Sequence, residues 1–129
     1  MLKFVAVGHL THDLQPDGSL TPGGAAYYSS ITARYLGAQV TVISSVSKDY
    51  IGKEELARLG IALLAAPSPC TTTFENRYHN GQRQQHVRSL AHRIEQPLPP
   101  ADVAFVGPVM EEIPLESLGR SSEHCLQVA

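Results

Sequence analysis

Apolar residues fall in short runs along this chain, separated by more polar stretches. The first run, Leu2 to Val7, is apolar and partly β-branched and stops at Gly8, which predicts a buried strand followed by a turn. Three further runs have the same character: Val40–Ser44, Ile61–Ala65 and Val103–Val106. None of these runs is long enough to cross a bilayer.

The stretches between the runs favour helices. Ala25–Leu36 ends before Gly37, and Lys53–Leu59 ends before Gly60, at the position where glycine commonly closes a helix. A further helix is predicted over 113–124, with Pro114 in its first turn. Buried strands that alternate with helices predict an α/β fold built on a mostly parallel sheet.

Two segments interrupt this alternation. Residues 9–22 are largely polar and contain Asp-Gly at 17–18, which is a hairpin-turn signal. Thr71–Tyr78 and Arg83–Val87 flank an Asn-Gly turn, and they predict an exposed hairpin with two fairly polar faces. Such a hairpin suits a lid better than a core, so we expect lid-like segments near 9–22 and 71–90. The predicted order is strand, helix, strand, helix, strand, hairpin, strand, helix.

Composition narrows the functional classes. The 129 residues carry a formal net charge of −2 and are 43% hydrophobic, as in one globular domain. The sequence has no basic stripe that would predict a nucleic-acid partner. It also has no apolar leader that would predict secretion or a membrane. We therefore expect a cytoplasmic protein in which Cys70 and Cys125 are buried thiols. Residues 126–129 look like the opening of another strand, which favours a truncated protein over a frayed tail.

Three constellations carry candidate chemistry. Asp13 follows the first strand and its glycine, at the sheet edge where open α/β folds bind ligands. Gly23 and Gly24 open a helix, where backbone N–H groups are free to meet a ligand. Asp49 belongs to Ser47-Lys48-Asp49-Tyr50-Ile51-Gly52 after the second strand. Each has a simpler alternative. Asp13 could be a solvated turn residue, Gly23-Gly24 could only form a tight turn, and Asp49 could cap the next helix.

Two other chemistries are weaker. His9, His12 and Asp13 are close enough in the sequence to contribute to a metal site. No further well-spaced pair of ligand residues accompanies them, so we expect no metal site. Cys70 follows Pro-Ser-Pro in a loop with no evident base, so an unreactive thiol is favoured over a nucleophile. Arg77 and Arg83 flank the hairpin turn and could reach an anionic or polyol ligand, although such arginines are more often solvated.

Taken in order, these motifs resemble the N-terminal half of the ribokinase (PfkB) family of carbohydrate kinases. The matching elements are Gly8, Asp13, Gly23-Gly24, Leu36-Gly37-Ala38, Val40–Ser44, and Asp49 with Gly52. The resemblance covers nearly the whole chain and implies a ribokinase-like α/β fold with a small β-hairpin lid. One departure is Tyr28, which stands where many members have a substrate-contacting Asn.

The resemblance implies an ATP- and Mg²⁺-dependent kinase for the full-length parent, acting on a hydroxyl of a sugar, polyol or nucleoside. It implies substrate contacts for Asp13, Gly23, Gly24, Tyr28, Asp49 and Arg77, and a homodimer through the lid. The family's Gly-Ala-Gly-Asp motif, with its catalytic base and anion hole, does not occur in these residues. We therefore expect an inactive acceptor-binding portion with no catalytic residue and no well-bound ATP. The alternatives are a non-catalytic binding domain or decayed remnant on this fold, and an unrelated Rossmann-like nucleotide binder.

Overall fold

The computed structural model describes residues 1–109, residue 113 and the strand 126–128. Within these residues the chain forms nine strands and two helices in two sheets. In chain order they are β1 (Lys3–Val7), β2 (Thr11–Leu14), β3 (Leu20–Gly23), α1 (Ala25–Tyr35), β4 (Gln39–Val46), α2 (Lys53–Arg58), β5 (Ala62–Pro67), β6 (Thr72–His79), β7 (Gln82–Ser89), β8 (Val103–Val106) and β9 (Leu126–Val128).

The first sheet has the strand order β5-β4-β1-β8-β9, and every neighbouring pair is parallel. This confirms the predicted parallel α/β sheet, including the strand that was expected at the end of the sequence. Because all of its strands run the same way, their carboxyl ends share one edge, and that edge is where open α/β sheets bind ligands.

Alternating side chains give this sheet two buried faces. Ala6, Val40 and Val42 pack with α1 and α2 on one face. Val5, Val7, Ile43 and Val106 point to the other face, where Ile94 of the extended segment 90–102 packs against them, with Leu98, Ala101 and Ile113 around it. A parallel strand that is covered on both sides reads as a continuous apolar run, which is why the sequence revealed these strands.

The second sheet has the order β3-β2-β6-β7 and contains both segments that were predicted to be lid-like. The β6–β7 turn has positive φ at Asn80 (50°) and Gly81 (76°), as a two-residue type I′ turn requires, so the predicted Asn-Gly hairpin is confirmed. The short strands β2 and β3 are absent from the predicted element order, because their residues lack a clear apolar run. That this sheet acts as a lid stays a prediction.

Several details differ from expectation. The hairpin was predicted to have two polar, exposed faces, but β6 buries Thr72, Phe74 and Asn76 on one face, while β7 is mostly exposed. Cys70 was expected to be buried but is only half-buried, as a free thiol 3.1 Å from the Leu90 carbonyl oxygen. Apart from residue 113, the predicted helix 113–124 lies outside the described residues, as does Cys125. No helix in the described part is long and apolar enough to span a membrane.

We predict that Gly8→Ala lowers the free energy of unfolding by about 1–3 kcal/mol, the usual cost of overpacking a core. A Cβ at this position would lie less than 3.0 Å from the Gly107 carbonyl oxygen, because the ends of β1 and β8 touch here. Urea unfolding followed by circular dichroism measures the change. Gly37→Asn is the control, since nothing lies within 4 Å of that Cβ site and Asn tolerates positive φ. Wild-type stability for Gly8→Ala would contradict this close approach.

Candidate functional site

A cavity of about 370 Å³ lies where the second sheet meets the carboxyl edge of the first. Four parts of the chain meet at this cavity: β2, the start of α1, the β6–β7 hairpin and the residues after β8. Its lining consists of Thr11, Asp13, Gly24, Phe74, Gln85, Val87 and Val109. Two of the predicted site residues, Asp13 and Gly24, therefore lie together.

The Asp13 carboxylate is held by its immediate neighbours. The Thr11 hydroxyl donates to Asp13 Oδ1 at 3.2 Å, and both side chains point to the cavity face of β2. Gly23 on the paired strand β3 lies next to this carboxylate, and a Cβ at Gly23 would come within 3.0 Å of it. Because Gly23 has no side chain, it leaves the space that the Asp13 carboxylate occupies. The sequence did not reveal this packing role.

Gly24 caps the N-terminus of α1 with φ of 100°, a value that favours glycine. A Cβ at this residue would meet the His9 carbonyl oxygen at 2.6 Å, so the helix start packs against the chain leaving β1. Among the described residues, no side chain caps this helix. Backbone N–H groups at the first positions of a helix are donors of the kind that water or a ligand can bind.

The remaining lining was missed by sequence reasoning. Phe74 and Val87 are paired across β6 and β7, and Gln85 lies two residues from Val87 on the same face. The register that follows from the Asn-Gly turn contains this information, because positions counted outward from the turn alternate between faces. Apolar surface beside a carboxylate, an amide and a hydroxyl can bind a compact molecule that carries several hydroxyl groups and C–H faces.

Asp49 lies in the neighbouring turn, outside the cavity lining. Its carboxylate accepts a hydrogen bond from the Ser47 hydroxyl, and this bond is the main reason why the pKa of Asp49 lies below its usual value. Because a carboxylate only accepts, the Thr71 hydroxyl must in turn donate to Ser47 Oγ, 2.7 Å away. The helix-cap alternative is wrong: α2 begins at Lys53 with Gly52 as its cap and no side-chain capping bond.

His12 connects β2 to that turn. Its Nε2 accepts the backbone N–H of Ile51 at 3.0 Å, and its ring stacks on Tyr50 with the centroids 5.5 Å apart. Burial lowers the pKa of His12, while the nearby carboxylates of Asp49 and Asp13 oppose this effect. Within the described residues no three His, Cys, Asp or Glu side chains gather where a metal could bind, and the His12 and His9 rings serve other contacts.

Tyr28 and Arg77 are not brought to the cavity. Tyr28 is 59% exposed on α1, with its hydroxyl 3.5 Å from the Pro22 carbonyl oxygen and its ring edge-on to Tyr27. Arg77 is three residues from Phe74 along β6, so it points to the opposite face, where it pairs with Glu75 at 3.0 Å. Arg83 is paired with Tyr78, which is four residues from Phe74 on β6 and on the same face. Arg83 therefore lies on the cavity face of the hairpin.

A second cavity, of about 700 Å³, lies between α2 and β5. Aliphatic side chains form most of its lining, among them Leu56, Ile61 and Leu63, and Lys48 and Lys53 are also part of it. None of the predicted site residues lines this cavity. Of these two cavities, the smaller one is therefore the candidate site, because Asp13 and Gly24 line it.

The solved structures that match this chain include several kinases. A pyrophosphate-dependent kinase in the ribokinase family, solved as a sulfate complex, matches with a TM-score of 0.76 and 24% identity over 90% of this chain. A complex of such a kinase with a pyrophosphate analog and myo-inositol matches with a TM-score of 0.73 and 23% identity over 90% of this chain. An uncharacterized sugar kinase from Pyrococcus horikoshii in complex with ATP matches with a TM-score of 0.61 and 16% identity over 80% of this chain.

These matches establish a ribokinase-like fold for the chain. The chain spans 45%, 44% and 42% of the lengths of these three proteins, respectively, so it corresponds to less than half of each. No family model matches the sequence. No curated protein matches it either.

We predict that the free energy of unfolding decreases as pH falls below about 6.5, the ordinary pKa of histidine. His12 has a lowered pKa in the folded chain, so below this pH the unfolded chain binds the proton more readily, at a cost of at most about 1.4 kcal/mol per pH unit. Urea unfolding between pH 7.5 and 5 measures this slope.

His12→Gln keeps an acceptor for the Ile51 N–H but removes the titration, so we expect a flatter pH profile for this variant. His79→Gln, at an exposed position beside the hairpin turn, is the matched control for loss of one histidine. An unchanged slope in His12→Gln would show that His12 does not contribute to the pH dependence.

Proposed function

We propose that this chain forms the acceptor-binding part of a kinase that phosphorylates a hydroxyl group of a sugar, polyol or nucleoside. The observation that carries the proposal is the placement of the Asp13 carboxylate and the uncapped start of α1 in one cavity, at the carboxyl edge of a ribokinase-like sheet. The fold alone does not supply a function, so the argument rests on the chemistry of this cavity.

The polar groups suit a molecule with several hydroxyls. Asp13 would accept hydrogen bonds from two adjacent hydroxyl groups, and such charge-assisted bonds are stronger than neutral ones. Gln85 can both donate and accept through its amide, while Phe74 and Val87 offer apolar surface to C–H faces. The myo-inositol in the solved kinase complex is a ligand of this chemical type.

Phosphoryl transfer needs more groups than this cavity contains. A base must receive the proton of the acceptor hydroxyl, and cations or N–H groups must stabilise the transferring phosphoryl group. We propose that residues outside this chain supply them, together with the binding site for ATP or pyrophosphate and for Mg²⁺. The chain would therefore bind acceptor but not turn it over by itself.

Three predicted contacts remain proposals with different support. Asp49 is held near β2 through His12 and would act on the acceptor through the position of its turn. Tyr28 borders β3 and would approach a ligand larger than the cavity. Arg77 lies with Glu75 and Arg88 on the outer face of the second sheet. This position supports a contact with a second copy of the chain better than a contact with the acceptor. We propose that such a homodimer forms in the cytoplasm.

The direct test uses the protein encoded by the complete reading frame that contains this chain. A panel of acceptors that includes myo-inositol, fructose and adenosine is incubated with Mg²⁺ and either ATP or pyrophosphate, and phosphorylated product is measured by mass spectrometry. We expect one acceptor class to be phosphorylated. We further expect Asp13→Asn to lower kcat/KM by about 10- to 100-fold, as for the loss of hydrogen bonds to a charged group.

Asp17→Asn is the matched control. Asp17 lies on the same hairpin as Asp13, but in the exposed turn, where it accepts bonds from Ser19. Its substitution should leave kcat/KM unchanged. Phosphorylation with normal kinetics in Asp13→Asn would remove Asp13 from the site. Acceptor binding without phosphorylation by the complete protein would favour the non-catalytic binding domain.

A further inference from the structure

His9 lies at the junction of the two sheets. The chain passes between them after β1, after β3, after β5 and after β7, and the His9 ring contacts two of the other crossings. Its Nδ1 lies 2.8 Å from Thr72 Oγ1 at the start of β6, and its Nε2 lies 2.8 Å from the carbonyl oxygen of His92, beyond β7. The side chain is only 2% exposed.

The donors and acceptors around the ring assign its tautomer. The His92 carbonyl oxygen can only accept, so Nε2 carries the hydrogen. The Thr72 hydroxyl already accepts the backbone N–H of Ala91 at 2.9 Å, and its own hydrogen is available for Nδ1. A neutral imidazole protonated at Nε2 satisfies all of these groups together.

The backbone on both sides of His9 is tied to the first sheet. The N–H of Gly8 donates to the Ile43 carbonyl oxygen at 3.2 Å, and the N–H of Leu10 donates to Ser44 Oγ at 2.9 Å. The carbonyl oxygen of His9 lies against Gly24 at the start of α1. His9 is therefore fixed to the first sheet by its main chain and to the second sheet by its side chain.

We propose that His9 is a positioning residue, whose Nε2-protonated imidazole sets the location of the Asp13 carboxylate relative to Val109, the part of the cavity lining that follows β8 of the first sheet. Asp13 reaches the cavity from β2, which pairs with β6, and β6 begins at the threonine that His9 holds. Val109 reaches the cavity after β8 of the first sheet, whereas Gly24 directly follows Gly23 of β3 and stays beside Asp13. A shift between the sheets would thus move Asp13 relative to Val109, and small misplacements in a site are costly. The consequence for acceptor binding rests on the proposed function, but the positioning itself does not.

The test uses the 129-residue chain and Thr72→Val, which keeps the side-chain shape but removes the hydroxyl. Thr41→Val is the control, because Thr41 is a half-buried strand threonine of the first sheet. In the wild type, long-range ¹H–¹⁵N spectra should show His9 protonated at Nε2. In Thr72→Val, the Asp13 carboxyl and Val109 amide resonances should shift. Amide hydrogen exchange should accelerate several-fold to about tenfold in β2 and β6, with β1 and β4 unchanged.

Protonation at Nδ1 in the wild type would overturn the assignment and the proposal with it. So would equal acceleration of exchange in both sheets, which is the result expected if the contact only stabilises the core. Unchanged Asp13 and Val109 resonances in Thr72→Val would likewise exclude a positioning role. An acceptor titration with myo-inositol separates the two proposals: if the wild type binds no acceptor, the proposed function fails, while the spectra still decide the role of His9.

Discussion

The structure depends on a layer of buried hydrogen-bonded side chains where the second sheet crosses the edge of the first. His9, Thr11, His12, Ser44, Ser47, Thr71 and Thr72 are all buried there. A buried polar group costs free energy unless it is hydrogen-bonded. Within the described residues, only Ser45 Oγ and Tyr50 Oη are buried side-chain atoms with no partner. Because nearly every group has its bond in one arrangement, the relative position of the two sheets is specified.

This junction explains why the cavity has its composition. The first sheet provides the edge and the start of α1, and the second sheet provides Asp13 and the apolar pair Phe74 and Val87. Glycines at 8, 23 and 24 permit the close approach, since a side chain at any of them would collide with neighbouring atoms. Polar groups of different elements can therefore meet around a small space, as binding sites require.

The first sheet could be predicted from the sequence because its central strands β1 and β4 are covered on both faces and read as apolar runs. The Asn80-Gly81 turn was equally clear, because few residue pairs adopt two positive φ angles in succession. For β2 and β3 the sequence indicated the turn, through Asp17-Gly18, but not the strands on either side of it. Thr11, His12 and Asp13 are polar, and they are strand residues only because β6 and β3 pair with them.

The same distinction applies to the site. Asp13, Gly23 and Gly24 could be selected because each follows a local signal, a strand end or a helix start. Gln85 and Phe74 could not, since they reach the cavity through strand pairing over a long sequence separation. The roles of His9 and His12 depend on partners in other elements, namely Thr72, His92 and Ile51. Local spacing allowed only a metal cluster to be considered, which the sequence did not favour.

The central claim is that this chain binds an acceptor molecule, and not a nucleotide, in the cavity between the sheets. The most direct measurement is an NMR titration of the ¹⁵N-labelled chain with myo-inositol and, separately, with Mg²⁺-ATP. The account predicts that myo-inositol shifts the amide resonances of Thr11, Asp13, Gly24 and Gln85, and that Mg²⁺-ATP leaves them unchanged. Binding of Mg²⁺-ATP at these residues, or polyol-induced shifts confined to the cavity between α2 and β5, would contradict it.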